Sequence, residues 1–276
     1  MNYFKLIAVG LALTSLQATN ATTPQAFTPV EPIEFKQDLF QHKQEYTLWD
    51  DLNTDSLWDY VDKSVDIQWP RTYGNYNLKP LQDSLMKAAF PEFANSIDIT
   101  EAVNKYLADT TDFAPFMCES RSVSIKIVDY TTSYITCITD FYFCSGFNSN
   151  YISTPMTYIL ESGRLMDYGW LIKPEYEEWV LKEVHQRMLR HFEAETEAEL
   201  NARGLGLPDF LPDNICIKNG EIVFHYLSNF NYYPYQTGLP HRFETDITLT
   251  PYALKEALTP DAYKFFGIVE YPADAE

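Results

Sequence analysis

The stretch VSIKIVDYTTSYITCITDFYF, residues 123–143, decides the fold. Val123, Ile125 and Ile127 alternate with polar residues, and Ile135, Cys137, Phe141 and Phe143 alternate after a polar break. That period of two is the pattern of half-buried strands, and the break at Asp129 to Ser133 predicts the turn of an antiparallel hairpin. Pairing Ile125 with Cys137 puts both apolar faces on one side of the sheet, whereas a one-residue slip would oppose Val123 to Asp140. The same register sets Cys118 opposite Cys144 and predicts a disulfide between them. Cys137 and Cys216 are then either bridged to each other or separately buried. Intervals of 19, 7 and 72 residues between the four cysteines fit no zinc pattern.

Toward the N-terminus, residues 64–69 alternate as a strand that Pro70 is expected to end. Leu78, Leu81 and Leu85 recur at helical spacing, and Asp98-Ile-Thr-Glu101 is a capping box opening a helix through Leu107. Residues 22–45 are polar and contain proline, so they read as an extended lead-in to a domain spanning 46–276, with a possible subdivision into 46–150 and 151–276. Toward the C-terminus, a strand at 156–160 ends at Ser162-Gly163. Pro174 opens the longest helix, with Glu175, Glu177 and Glu178 in its first turn and Tyr176, Val180, Val184, Met188 and Phe192 as its apolar stripe. Thr196 with Glu199 is a second capping box. Asn219-Gly220 between Ile217 and Ile222 is a hairpin signal, residues 243–249 alternate, and Thr250-Pro251 is expected to start a helix to about Leu258. The fold class is therefore α+β: a mostly antiparallel sheet built from hairpins, with one long helix and several short helices packed on it.

Residues 1–21 read as a signal peptide, with Lys5, an uncharged apolar run from Leu6 to Leu16 and small residues at Ala18 and Ala21. The expected location is periplasmic or secreted after cleavage near Ala18 or Ala21. The run is shorter than the ~20 residues of a helical span, so no integral membrane segment is expected in the mature chain. A net charge of −19 and a pI near 4.5 argue against nucleic acid and anionic lipid, and would draw in cationic proteins.

Catalytic chemistry has little purchase on this sequence. Asp51, Asn53, Asp55, Asp59 and Asp62 sit at calcium-loop positions, but Ser56 replaces the turn glycine and Asp62 the bidentate glutamate, so no metal is expected. His185 and His191 are six residues apart, off the spacing that aligns two ligands on a helix, and neither His225 nor His241 has a nucleophile beside it. No cofactor is expected and the chain reads as a non-enzyme. The sharpest candidates for contact with a partner are Tyr232, Tyr233, Pro234, Tyr235 and Gly238, in the loop FNYYPYQTG at 230–238. Aromatics on a proline- and glycine-stiffened loop bury large area at small ordering cost.

The C-terminal order of motifs resembles the domain family shared by the extracellular half of the RsiV anti-sigma factor and the non-catalytic part of the peptidoglycan deacetylase PdaC. Ile159-Leu-Glu-Ser-Gly163, Leu165 and Trp170-Leu-Ile-Lys-Pro174 match the family's strand and helix start. Asn219-Gly-Glu-Ile-Val-Phe224 matches its hairpin, and Tyr233-Pro-Tyr-Gln-Thr-Gly238 its aromatic loop. The family's Gly-Gly-Ala-His stretch is represented only by Cys144-Ser-Gly-Phe-Asn148. What the resemblance implies is binding: RsiV-like domains meet lysozyme by direct contact, and the PdaC-type domain accompanies a cell-wall enzyme. The expected function is an exported, non-enzymatic binding protein for a cationic partner such as a lysozyme-like muramidase. A cell-wall glycan module is the alternative, and a hydrolase using a carboxylate pair the third.

Overall fold

The structure, a computed structural model, describes residues 34–47, 60–93, 98–109, 119–145, 148–203, 207–212, 215–228 and 243–268. Its centre is a six-stranded sheet in chain order: β1 (Phe35–Thr47), β2 (Tyr60–Tyr73), β3 (Glu119–Tyr130), β4 (Tyr134–Ser145), β5 (Asn148–Ile159) and β6 (Arg164–Leu165). Every pairing is antiparallel except β2 with β3. Parallel neighbours need a crossover, and this one carries helices α1 (Lys79–Ala89) and α2 (Ile99–Ala108). A second, antiparallel sheet holds β7 (Ile215–Lys218), β8 (Glu221–Ser228) and β9 (Phe243–Leu249). Between the sheets in sequence lie α3 (Tyr168–Leu171), a 3₁₀ turn at Pro174–Tyr176, α4 (Glu177–His191) and α5 (Glu197–Ala202); α6 (Pro260–Phe265) follows β9. The α+β class predicted from the hairpins is the class observed.

Alternation divides the central sheet between two cores. On its inner face Val65, Ile67, Val123, Ile125, Ile135 and Cys137 meet Leu81 and Leu85 of α1 and Ala102 and Val103 of α2. On its outer face Tyr134 and Ile159 join a separate core with Val180, Val184 and Met188 of α4 and Ile217, Ile222, Phe224, Ile247 and Leu249 of the small sheet. Among the described residues, the outer core meets this face at the end near Tyr134.

Two threonines hold that cover in place. Thr136 donates to the Ile217 carbonyl (2.7 Å), Thr157 accepts from the Ile217 N–H (2.8 Å), and the two hydroxyls lie 2.8 Å apart. Ile217 pairs with Ile222 one step inside the Asn219-Gly220 turn, where φ is positive at both turn residues (54° and 74°). In such a hairpin that pair points its backbone groups away from the partner strand, toward the threonines. Asp129 adds a third tie by accepting from the Asn219 N–H (2.7 Å).

Four expectations are corrected. Residues 35–45, read as part of an extended lead-in, are most of strand β1, paired with β2 along its length. Strand β2 continues through Pro70 to Tyr73: its ladder to β3 has ended at Ile67, and β1 shifts register between Lys36 and Gln37, so the missing N–H is tolerated. The segment expected to be helical from Thr250 to Leu258 is a run of turns, and the helix lies at Pro260–Phe265, capped by Thr259 accepting from the Ala262 N–H (3.2 Å). The hairpin register is displaced by two residues, with Ile127 rather than Ile125 opposite Cys137. Ser120 therefore faces Cys144, whose thiol is free, as are those of Cys137 and Cys216. Cys118 lies outside the described residues.

Burial pushes the Cys137 and Cys216 thiols up to about 12 from a usual 9.0. A raised folded value keeps its stabilising effect below pH 9 and loses it as pH climbs toward 12, at ~1.4 kcal/mol per pH unit for each thiol. Native alkylation followed by mass mapping is expected to label Cys144 and spare Cys137 and Cys216 until the chain unfolds. Replacing Thr157 with Val keeps the shape and strips the Ile217 N–H of its acceptor, so denaturant melts should show a loss of ~1–3 kcal/mol. Adding Thr136→Val should cost less than its separate effect, because both belong to one network.

Candidate functional site: an aromatic platform at the sheet edge

Where β1 ends against β2, Phe35 pairs with Tyr73, and their rings meet edge to face at 5.4 Å and 84°. A tight turn then reverses the chain: the Tyr76 N–H donates to the Tyr73 carbonyl (3.0 Å) and Gly74 takes a φ of 50°, which glycine adopts without Cβ strain. The turn folds Tyr76 back beside Tyr73, with 6.0 Å between ring centres. The fourth ring comes from a different strand. Tyr130 lies 4.9 Å from Phe35 and 6.3 Å from Tyr73, edge to face with the latter.

Tyr130 reaches this face because β3 bulges between Ile127 and Asp129. An extra residue in one strand reverses the alternation beyond it. Asp129 thus pairs with Thr136 on the outer face, and Tyr130 pairs with Ile135 on the inner one. Tyr73 is the buried floor, its hydroxyl donating to the Thr131 carbonyl (2.8 Å). Burial raises its phenol above the usual value, with Tyr130 and Tyr76 adding to the effect. Tyr76 and Tyr130 stay 37% and 53% exposed, so two fixed aromatic faces are offered to solvent.

The buried charges elsewhere are occupied with the fold. Lys63, 2% exposed, donates to the carbonyls of Tyr106 (3.0 Å) and Asp109, where a cation suits the end of α2. It also stands 4.9 Å from the centre of the Tyr106 ring. Arg121 pairs with buried Glu119 and lies over Phe143. His185 meets the Pro208 carbonyl (2.7 Å), and His191 is exposed, edge-on to Phe192. His225 is buried in β8 against Asp246 of β9 (2.8 Å), which holds the Asp246 carboxyl below its usual range. Among the described residues no three His, Cys, Asp or Glu side chains group as a metal ion would require, and no helix is long and apolar enough to cross a membrane.

No protein-family model matches the chain, and no curated protein matches it in sequence. Solved structures do match. Its fold is similar to that of DUF3298 family proteins. A member from Bacteroides fragilis superposes with a TM-score of 0.64 over 84% of this chain and 96% of its own, at 11% identity. One from Pseudomonas aeruginosa PAO1 gives 0.56 over 83% and 97%, also at 11% identity. At that identity the likeness concerns the fold alone, and the resemblance to the RsiV and PdaC domain rests on the sequence motifs.

The motifs behind that resemblance occupy definite places. Ser162-Gly163 turns β5 into β6, the 3₁₀ turn at Pro174 leads into α4, and Asn219-Gly220 joins β7 to β8. The proposed contact residues Tyr232, Tyr233, Pro234, Tyr235 and Gly238 lie outside the described residues, as do Asp51 to Asp59 and His241. Asp62 is described and stands 3.8 Å from Lys43. The platform escaped the sequence reading because Phe35, Tyr73 and Tyr130 are far apart in the chain. Its one legible signal was the cluster of Tyr73, Gly74 and Tyr76.

The His225 pair predicts a pH dependence. Asp246 has a depressed folded value, so its contribution is complete above its usual 3.8 and disappears as pH falls through the folded value below that. The melting-temperature gap between wild type and Asp246→Asn should be full above pH 3.8 and close as pH falls below it.

Proposed function

We propose that this chain is an exported, non-enzymatic binding protein that holds a cationic protein, such as a lysozyme-like muramidase, against the aromatic platform. The observation carrying this reading is the pair of exposed tyrosines braced by Phe35 and Tyr73. Rings fixed before contact lose little freedom on binding, and tyrosine is enriched among residues that dominate interfaces. Arginine or lysine over a tyrosine face is worth ~0.5–2 kcal/mol. A net charge of −19 speeds encounter with a basic partner.

The non-enzymatic part rests on how the titrating groups are spent. Among the described residues, those that depart from usual values are phenols and thiols moved by burial, and two carboxylates, Asp246 and Glu199, held by His225 and by the Glu195 backbone N–H with Arg203. They are not gathered as acid, base and nucleophile around a cleft.

Titration calorimetry with hen egg-white lysozyme tests the reading. Tyr130→Ala and Tyr76→Ala should each weaken binding more than ~5-fold with little change in melting temperature, and affinity should fall steeply between low and high salt. Tyr235→Ala in the 230–238 segment is the parallel variant. Affinity unchanged in both platform variants but lost in Tyr235→Ala would move the contact to that segment. No binding at low salt would remove lysozyme as the partner.

A further inference from the structure

We propose that the open part of the outer sheet face is a second binding site, a groove for a neutral oligosaccharide, separate from the platform on the opposite face. The pairing registers align Asp66, Ser124, Asp140 and Ser153 in one row across β2 to β5, and Ser64, Ser122, Tyr142 and Tyr151 in the next. Residues directly opposite one another in register share a face, so these rows form a continuous surface. Serine side chains end one atom beyond Cβ. Where Ser64, Ser122 and Ser124 lie side by side, the surface sinks into an open groove of about 490 Å³ whose lining includes Tyr142, Tyr151, Asp66 and Lys126. That volume falls within the ~300–1,000 Å³ of small-molecule sites.

The chemistry of the lining selects the ligand class. Hydroxyls both donate and accept, as sugar hydroxyls do; Ser64 and Ser122 on the floor offer that pairing, and Ser124, which donates to Asp140, offers acceptor lone pairs. Two tyrosine rings bring apolar area to a polar trough, which suits a sugar ring with its mixed faces. One of them is fixed in advance: Asp140 accepts from the Tyr151 hydroxyl (2.6 Å), from Ser153 (2.8 Å) and from Ser124 (3.2 Å). Asp140 is thereby engaged within the protein. The remaining charges at the groove, Asp66 and Lys126, have opposite sign, which favours a neutral ligand over a polyanion or a basic peptide.

Solvent-facing sheet surfaces are polar in any case, so the test must separate a site from an ordinary wet face. Titration calorimetry of the full chain with chitohexaose and with cellohexaose is expected to give saturable binding to at least one, unchanged between 50 and 500 mM NaCl. Tyr142→Ala, which removes a wall, and Ser122→Gln, which fills the floor, should each weaken it at least tenfold with melting temperatures within a few degrees of wild type. Tyr130→Ala on the platform should leave it intact, so failure here and failure of the lysozyme reading stay distinguishable. No heat of binding with either sugar, or binding that survives both groove variants, overturns the proposal. Should either variant fail to fold, protection of the Tyr142 and Tyr151 ring signals by the sugar in nuclear magnetic resonance decides the matter, and no shift at those rings sinks it.

Discussion

The bond on which the architecture turns is the double contact between the threonine pair, Thr136 and Thr157, and the backbone of Ile217. A six-stranded sheet with helices on its inner face could have ended as a two-layer structure. The threonines instead give the outer face a polar foothold, and the β7–β8 hairpin presents an N–H and a carbonyl at the right spacing to take it. A buried peptide group without partners costs more than an exposed one gains from its bonds. The hairpin can therefore settle in one place, where Tyr134 and Ile159 are covered.

That single foothold divides the sheet's chemistry. Under the cover, the outer face carries the apolar pair Tyr134 and Ile159 beside the threonine pair. Beyond it, the outer positions become serine, aspartate and tyrosine, while the inner ones stay apolar against α1 and α2. The β3 bulge makes a second division on the inner face, moving Tyr130 out of the alternation it would have followed and onto Phe35 and Tyr73.

Most of the element order could be read from sequence because it depends on local signals. Alternation gave β3, β4 and β9, the capping boxes at Asp98 and Thr196 gave the starts of α2 and α5, and Asn219-Gly220 gave the β7–β8 turn. What escaped depends on non-local choices. A shift of two residues leaves every side chain on its face, so hydrophobic pattern alone cannot distinguish Ile125 from Ile127 opposite Cys137. The short turn at Thr131–Ser133 and the bulge set that register, and moving it displaced Cys144 from its expected partner. Strand β1 was missed for a similar reason: its polar sequence becomes a strand only because β2 offers an edge to pair with. The platform combines both difficulties, since it needs β1 and the bulge together.

The parallel join of β2 to β3 has a consequence in time. Val65 and Val123 are ladder partners, yet the whole α1–α2 crossover separates them along the chain. Loop closure must be met before that pairing returns any energy, and folds rich in such pairings assemble slowly. The β4 hairpins and the two helices can form from neighbouring residues, whereas the β1–β2 ribbon can attach only once the crossover has closed. Tyr73 and Phe35 arrive with that ribbon and Tyr130 with the hairpins. The exposed aromatic face is therefore complete only when the ribbon and the hairpins have joined.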